Sequence, residues 1–301
     1  MHGPPGTART RCRDDRRSLL WTMALTGTFM IVEVVGGLAA NSLALISDAG
    51  HMLTDVLALA LSLFAVTMAC RPAPARVTFG WYRLEILAAL ANGVLLVLIS
   101  IGLGWEAWRR LVEPQPVTGP IVVVVAAIGL VANVAGLFLL RGAGRRGLNI
   151  RSAAMHVLSD ALSSAAVVVC GAVVTATGWY VLDPLLSALI ALVIVIGAGR
   201  LMRQAVDVLL EATPVEIDLP SVAAAIGTVD GVREVHDLHI WSITSGMTAL
   251  SGHVVLETTT LEHSDRILNA IKVLLKERFQ IGHSTIQVES PGYTEVGEVH
   301  P

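Results

Sequence analysis

Long apolar stretches fill the first two-thirds of the chain, whereas the last third alternates short apolar and polar runs. A helix that crosses the hydrocarbon of a bilayer needs about 20 mostly apolar residues. Because backbone polar groups in lipid must be hydrogen-bonded internally, each stretch of that length predicts one membrane-spanning helix. The six predicted spans are 18–40, 43–69, 84–108, 119–140, 151–177 and 180–200.

The part of the chain after Pro214 has the pattern of a small soluble domain. Two runs rich in β-branched residues predict strands, and a run with apolar residues at helical spacing predicts an amphipathic helix. Such an alternation suits a small α+β sandwich, in which helices cover one face of a sheet. The predicted order is helix 219–227, strand 232–243, strand 247–256, helix 262–279 and strand 284–289.

Composition and charge support this division. The mean hydropathy is +0.68 and 15% of the residues are charged, whereas a soluble domain has about 25%. Residues 1–206 have a net charge of +6 and residues 207–301 a net charge of −9. We therefore predict a basic N-terminal segment (1–17), a six-helix membrane domain (18–206) and a soluble domain (207–301).

The net charge, the aromatic content and the cysteine pattern argue against three other classes of protein. A net charge of −3 and an aromatic content of 5% do not suit a nucleic-acid-binding protein. The three cysteines form no CxxC pair, which argues against a disulfide scaffold and against a zinc ribbon.

Arginines in the connecting segments predict the orientation in the membrane. They cluster before the first span, between the second and third, between the fourth and fifth, and after the sixth. The other side of the predicted bundle has only Arg109 and Arg110. Because basic loops stay in the cytoplasm, both termini are predicted to be cytoplasmic.

Two histidine–aspartate pairs are the candidate chemistry within the spans. His51 and Asp55 lie in the second span, and His156 and Asp160 lie in the fifth. Four helical steps leave two side chains about 40° apart on one face. Two such faces together offer two imidazole nitrogens and two carboxylate oxygens, a donor set that suits tetrahedral Zn²⁺. No Arg or Lys lies mid-span to neutralise the aspartates, which favours a functional role over a structural one.

Other polar residues in the spans have less specific interpretations. Asp48 either acts on the ion, by orienting His51 or by binding the ion on its way in, or forms a hydrogen bond at the start of its helix; the functional and structural alternatives are equally supported. Asp183, followed by Pro184, is expected to cap the sixth helix. Glu106 is expected near a membrane edge, where it could be solvated. Polar contacts between helices are expected at Glu33, Asn92 and Asn133.

Four segments of the chain carry a family resemblance. Residues 41–55 read NSLALISDAGHMLTD, and residues 79–93 read FGWYRLEILAALANG. Residues 156–162 read HVLSDAL, and residues 236–241 read HDLHIW. Together and in this order, they resemble the cation diffusion facilitator family of divalent-metal/proton exporters, most closely its bacterial zinc–cobalt–cadmium branch.

The resemblance implies a fold and a transport site. It implies six transmembrane helices, a cytosolic ferredoxin-like domain, a homodimer and a place in a bacterial inner membrane. It also implies that His51, Asp55, His156 and Asp160 bind the transported ion. A histidine rather than an aspartate at the first of these positions is associated with a preference for zinc.

The resemblance further implies that His236, His253 and Glu289 bind Zn²⁺ in the cytosolic domain, where the ion would be structural or regulatory. Gln287 stands where some relatives have another ligand, so the number of ions there stays open. The histidine-rich loop of animal relatives is absent from residues 141–150. Arg83 and Glu211 occupy positions where relatives form a charge contact between membrane domain and tail.

Strand alternation gives an independent view of the tail histidines. It places His236 and His239 on opposite faces of a strand, so both are not expected to bind one ion. A surface histidine is usually solvated, and whether His263 or Cys12 binds metal stays open on the sequence.

These observations lead to one functional hypothesis and several rivals. The hypothesis is Zn²⁺ efflux by alternating access, driven by inward protons, with the ion, protons, the bilayer and a second copy of the chain as partners. The rivals are a broader Zn/Co/Cd exporter, a channel, and a metal sensor without coupled transport. A zinc-dependent intramembrane enzyme is disfavoured, because the chain has no HExxH motif and four protein ligands leave no open position for water.

Overall fold

Six long helices form the first part of the protein in the computed structural model. They are α1 (Pro5–Ala40), α2 (Leu43–Ala69), α3 (Tyr82–Val112), α4 (Gly119–Gly142), α5 (Leu148–Thr177) and α6 (Leu182–Leu209). The structure describes residues 5–69, 76, 78–142, 148–244, 246–257 and 260–293. Their side chains are described except for 5–19, 65, 66, 68, 69, 136, 139–142, 148–154, 156 and 261.

The polytopic fold predicted from hydropathy is confirmed. Among the described residues, five helices contain a segment long and apolar enough to cross a membrane, and α4 adds the shorter apolar segment Gly119–Ala135. Helices α3, α4 and α5 extend a few residues beyond their predicted spans, and two helices extend much further: α1 begins at Pro5 and α6 continues to Leu209. Hydropathy reports only the part of a helix that suits lipid, whereas the local hydrogen bonds of a helix continue into water.

The chain divides into two compact units, residues 1–71 with 88–202 and residues 72–87 with 203–301. In the first unit α1 packs against α2 and α4, and α5 packs against α4 and α2. Glycines allow these helices to approach closely: a Cβ at Gly36 would lie 2.7 Å from Val125, and one at Gly171 would lie 2.9 Å from Val122. Small residues at helix contacts are a common means of packing in membranes.

Asp183 has a different role from the one expected. It lies in the first turn of α6, but its carboxylate caps the start of α2. Oδ2 accepts a hydrogen bond from the Leu43 amide at 2.7 Å, and Oδ1 accepts from the Ala44 amide at 3.2 Å and from the Ser42 hydroxyl at 2.5 Å. The first amides of a helix lack partners within it, so a buried carboxylate from a neighbouring helix stabilises them.

The turn between α1 and α2 is also held by α3. Asn41 has a left-handed backbone with φ of 51°, which asparagine tolerates better than most residues. Arg110 donates to the Asn41 carbonyl at 2.7 Å and to its Oδ1 atom at 3.0 Å. Glu106 accepts from Arg109 and Arg110, so it is engaged in ion pairs.

The second unit contains the α+β domain. Its elements are α7 (Leu219–Gly227), β1 (Val232–Thr244), β2 (Met247–Leu256), α8 (Leu261–Phe279) and β3 (His283–Glu289). The sheet has the order β1-β2-β3, with β1 antiparallel and β3 parallel to β2. Ile226, Leu250, Ile271 and Leu275 lie in a buried core between the helices and the sheet. The predicted helix–strand–strand–helix–strand order is therefore confirmed.

Candidate metal sites

The first candidate site lies between α2 and α5 in the first unit (residues 1–71 with 88–202), which we call the membrane unit. His51 and Asp55 stand one turn apart on α2, and Asp160 approaches them from α5. One ligand atom from each of the three lies within 4.8 Å of the others, and His51 Nε2 is 3.3 Å from Asp160 Oδ1. The side chain of His156 lies outside the described residues; its backbone precedes Asp160 by one turn of α5. We call His51, Asp55 and Asp160 the membrane cluster.

A cavity of about 410 Å³ opens onto the membrane cluster. All three cluster residues line it, together with Asp48, Ser164 and other side chains from α1, α2, α4 and α5. The side chains of His51 and Asp160 are 24% and 18% exposed, so an ion could reach them while most of each side chain stays buried. A second, more apolar cavity of about 270 Å³ between α5 and α6 also reaches His51.

Asp48 joins α2 to α5 beside the membrane cluster. Its carboxylate is 3% exposed, and Oδ1 accepts a hydrogen bond from the Ser163 hydroxyl at 2.5 Å. The sequence pattern predicts a partner for Asp48 on α2 or at the ion, whereas in the structure Ser163 of α5 donates to it. A serine three residues after Asp160 gives no signal by itself, because only the packing of α5 against α2 brings it to Asp48.

The second candidate site lies at one end of the three-stranded sheet. His236 on β1 stands directly opposite His253 on β2, and Glu289 ends β3 beside them. The Glu289 carboxylate is 3.1 Å from His236 Nε2 and 3.1 Å from His253 Nδ1. Glu289 is 5% exposed, and its Oε1 also accepts from the Gln287 amide at 2.9 Å. We call His236, His253 and Glu289 the tail cluster.

The tail cluster has donors that suit a divalent ion. One ligand atom from each residue lies within 4.8 Å of the others, as in the membrane cluster. Two imidazoles and one carboxylate form a donor set that Zn²⁺ accepts, with a fourth position open to water or another ligand. Gln287 contacts the cluster through Glu289, so it positions the carboxylate.

A β-bulge separates His239 from the tail cluster. The β1–β2 register shifts between His236 and His239, and Asp237 has a left-handed backbone with φ of 49°. Asp237 Oδ1 lies 3.0 Å from His239 Nε2, and its Oδ2 lies 3.7 Å from His253 Nε2. Strand alternation does not predict that Asp237 lies next to the tail cluster, because alternation assumes that neither strand contains an extra residue.

The remaining sequence candidates lie outside both clusters. His263 lies at the start of α8, close to Gly231. A Cβ added at Gly231 would lie 3.2 Å from the Nε2 atom of His263. The side chain of Cys12 lies outside the described residues. Within the second unit Arg83 and Glu211 form an ion pair. Asn133 donates to Ser164 at 3.5 Å, a contact between α4 and α5.

Comparison with known proteins places this geometry in context. The model of the cation efflux transmembrane domain matches residues 19–210, and that of the cation efflux protein cytoplasmic domain matches residues 214–291. The metal cation efflux system protein CzcD of Cupriavidus metallidurans is 42% identical over 91% of this chain and 87% of its own length.

Two further relatives match over a similar length. The zinc transporter ZitB of Escherichia coli is 40% identical over 92% of this chain and 88% of its own. The cadmium, cobalt and zinc/H⁺-K⁺ antiporter of Bacillus subtilis is 38% identical over 93% of this chain and 90% of its own.

Proposed function

This chain belongs to the cation efflux family, the cation diffusion facilitators, and from that membership we propose that it exports Zn²⁺ from the cytoplasm in exchange for protons. The observation that carries the proposal is the membrane cluster, in which one imidazole and two carboxylates from two helices share one small volume. His156 is proposed as the fourth donor, because it stands one helical turn from Asp160. Two nitrogens and two oxygens suit Zn²⁺ in tetrahedral coordination.

Ligand chemistry supports proton exchange. Zn²⁺ binds neutral imidazole and ionised carboxylate, so protons compete with the metal for the same atoms. An ion that binds from the neutral cytoplasm would be released where the outside is more acidic. The Bacillus subtilis relative is named a cadmium, cobalt and zinc/H⁺-K⁺ antiporter, which supports an exchange that involves protons here.

The tail cluster is proposed as a regulatory zinc site within a homodimer. Its donors come from three different strands, so a bound ion would tie the end of the sheet together. The tail matches the cytoplasmic domain of cation efflux proteins, whose model is named for dimerisation. We further propose that both termini lie in the cytoplasm and that the membrane is the bacterial inner membrane, because the relatives are named as transporters of bacteria.

A broader substrate range is the second candidate. It is favoured by the names of two relatives, a metal cation efflux protein and a cadmium, cobalt and zinc antiporter. Co²⁺ and Cd²⁺ accept nitrogen and oxygen donors as Zn²⁺ does, so the donor set alone does not separate them. Initial rates for the three ions in proteoliposomes, measured one ion at a time, would decide between the two ranges.

Zinc uptake by everted membrane vesicles under an imposed pH gradient tests the proposal. The Asp160→Asn variant removes an anionic donor but keeps the size of the side chain. We expect its initial rate to fall by about tenfold or more. Glu113→Gln makes the same chemical change at an exposed position after α3 and is expected to keep the wild-type rate. Wild-type uptake by Asp160→Asn would contradict the proposed site.

A further inference from the structure

Glu33 is an acidic residue in the membrane unit that neither cluster uses. It lies within the apolar part of α1, seven residues before the helix ends at Ala40. The residue is 3% exposed, and among the described residues its Oε2 atom is buried without a hydrogen-bond partner. An ionised carboxylate without donors is costly inside a membrane, so this position favours a neutral carboxyl over a carboxylate.

A glycine on α4 makes room for this carboxylate. A Cβ at Gly129 would lie 3.1 Å from Glu33 Oε1 and 3.6 Å from the hydroxyl of Ser164 on α5. Gly129 lies within the regular helix α4, so space rather than backbone conformation favours glycine there. Ser164 also lines the cavity of the membrane cluster. The Glu33 carboxylate is thus directed from α1 toward the α4–α5 contact beside that cavity.

Among the described residues, the charged group that acts on Glu33 is another carboxylate, and no basic side chain balances it. From α2, the charge of Asp48 acts on Glu33. From α4 and α5, Gly129 and Ser164 contribute neutral groups. Asp48 is itself 3% exposed and accepts a hydrogen bond from Ser163. Repulsion between two buried carboxylates disfavours ionisation of both while the cavity holds no cation.

We propose that Glu33 is a proton-binding site of the transport cycle, distinct from the residues that bind the metal ion. This inference rests on the proposed antiport. In the ion-free protein Glu33 holds the proton, because a protonated carboxyl is neutral and Asp48 already has a hydroxyl donor. A divalent ion in the cavity brings two positive charges that favour ionisation of Glu33. Ionisation of Glu33 releases one proton to solvent, and Glu33 takes up one proton again after the ion leaves.

Proton release during zinc binding tests this inference directly. Titration calorimetry of the full-length protein in two buffers of different ionisation enthalpy gives the number of protons released for each zinc ion. Glu33→Gln mimics the protonated form, so we expect it to release about one proton fewer than wild type, with zinc affinity changed less than about tenfold. Glu106→Gln makes the same change near the end of α3 and is expected to match wild type. A wild-type proton count in Glu33→Gln would overturn the inference.

A flux experiment separates this inference from the proposed function. In proteoliposomes, Glu33→Gln is expected to keep zinc–zinc exchange but lose part of the acceleration by a pH gradient, because the metal ligands still exchange protons, and Glu33→Asp is expected to restore it. If Glu33→Gln responds to the gradient as wild type does, Glu33 is not a proton site of the cycle and the antiport stands. If the wild-type protein ignores the gradient, proton antiport itself is wrong. Should Glu33→Gln fail to fold, Glu33→Leu removes the same titratable group with an apolar side chain, and a wild-type proton count in that variant would also contradict the inference.

Discussion

Each candidate metal site contains a carboxylate that can be changed without altering the other site. Asp160 is the donor that α5 brings to the membrane cluster, and Glu289 is the donor that β3 brings to the tail cluster. A carboxylate-to-amide change at either position removes an anionic ligand without creating a cavity. The two sites can therefore be switched off one at a time.

The tail cluster is tested by the number of zinc ions that each protomer binds. We expect Glu289→Gln to bind about one zinc ion fewer than wild type, because the amide cannot replace an anionic ligand between two imidazoles. Elemental analysis of the full-length protein after equilibration with zinc measures this number. Glu257→Gln, at an exposed position after β2, is the matched control. If Glu289→Gln keeps the wild-type number, the tail cluster is not a zinc site.

At the scale of elements, the membrane cluster depends on how closely α1, α2, α4 and α5 pack. The ligands on α2 and α5 meet because these helices contact each other and their partners α1 and α4. Spacing within a helix places His51 and Asp55 on one face, and this part of the site follows from the sequence. The approach of Asp160 depends on glycines and small side chains that carry no chemistry of their own.

The α1–α4 contact can be tested with two glycines of the same helix. A Cβ at Gly36 would lie 2.7 Å from Val125 of α4, whereas one at Gly27 would have nothing within 4 Å. We expect Gly36→Ala to lower the free energy of unfolding by about 1–3 kcal/mol, as overpacking does. Gly27→Ala is expected to be neutral or to stabilise by up to about 1 kcal/mol through helix propensity. Thermal unfolding in detergent compares the two, and equal midpoints would contradict this packing.

The contact between α6 and the start of α2 is a second element-scale prediction. Asp183→Ala removes the acceptor for two amides and one hydroxyl, so we expect a loss of about 2 kcal/mol or more in the free energy of unfolding. Asp183→Asn keeps one oxygen acceptor and is expected to lose less. The same thermal measurement applies, and an Asp183→Ala variant as stable as wild type would show that the cap contributes nothing.

At the scale of the whole molecule, charge and apolar surface indicate how the protein lies in its membrane. Large apolar side chains are exposed on several spanning helices, among them Leu38, Leu98, Val131 and Leu162. Such a surface suits lipid, because exposed apolar patches of this extent are rare on soluble monomers. The arginine-rich connections predict which ends of the helices face the cytoplasm.

Thiol labelling of intact cells tests that orientation. With Cys12 and Cys70 replaced by serine, the remaining Cys170 is buried. A membrane-impermeant reagent is expected to label Glu113→Cys, in the loop after α3, and to leave Glu257→Cys, after β2, unlabelled until the cells are opened. The opposite pattern would reverse the predicted orientation.

The sequence by itself determined the spans, the order of elements in the tail and the pairing of His51 with Asp55. These features depend on local rules: about 20 apolar residues cross a bilayer, strands and helices have fixed periods, and residues four apart share a helix face. Helices α1 and α6 extend beyond the predicted spans, to Pro5 and Leu209, because hydropathy identifies only the part of a helix that lies in lipid.

Only the tertiary structure decided which distant groups meet. In the structure Asp183 of α6 caps α2 and Ser163 donates a hydrogen bond to Asp48. A β-bulge lies at Asp237, and Glu33 is buried against Gly129 of α4. Each of these contacts joins residues far apart in the chain or breaks a regular period. Their free energy comes from packing between elements, which local patterns along a single sequence do not encode.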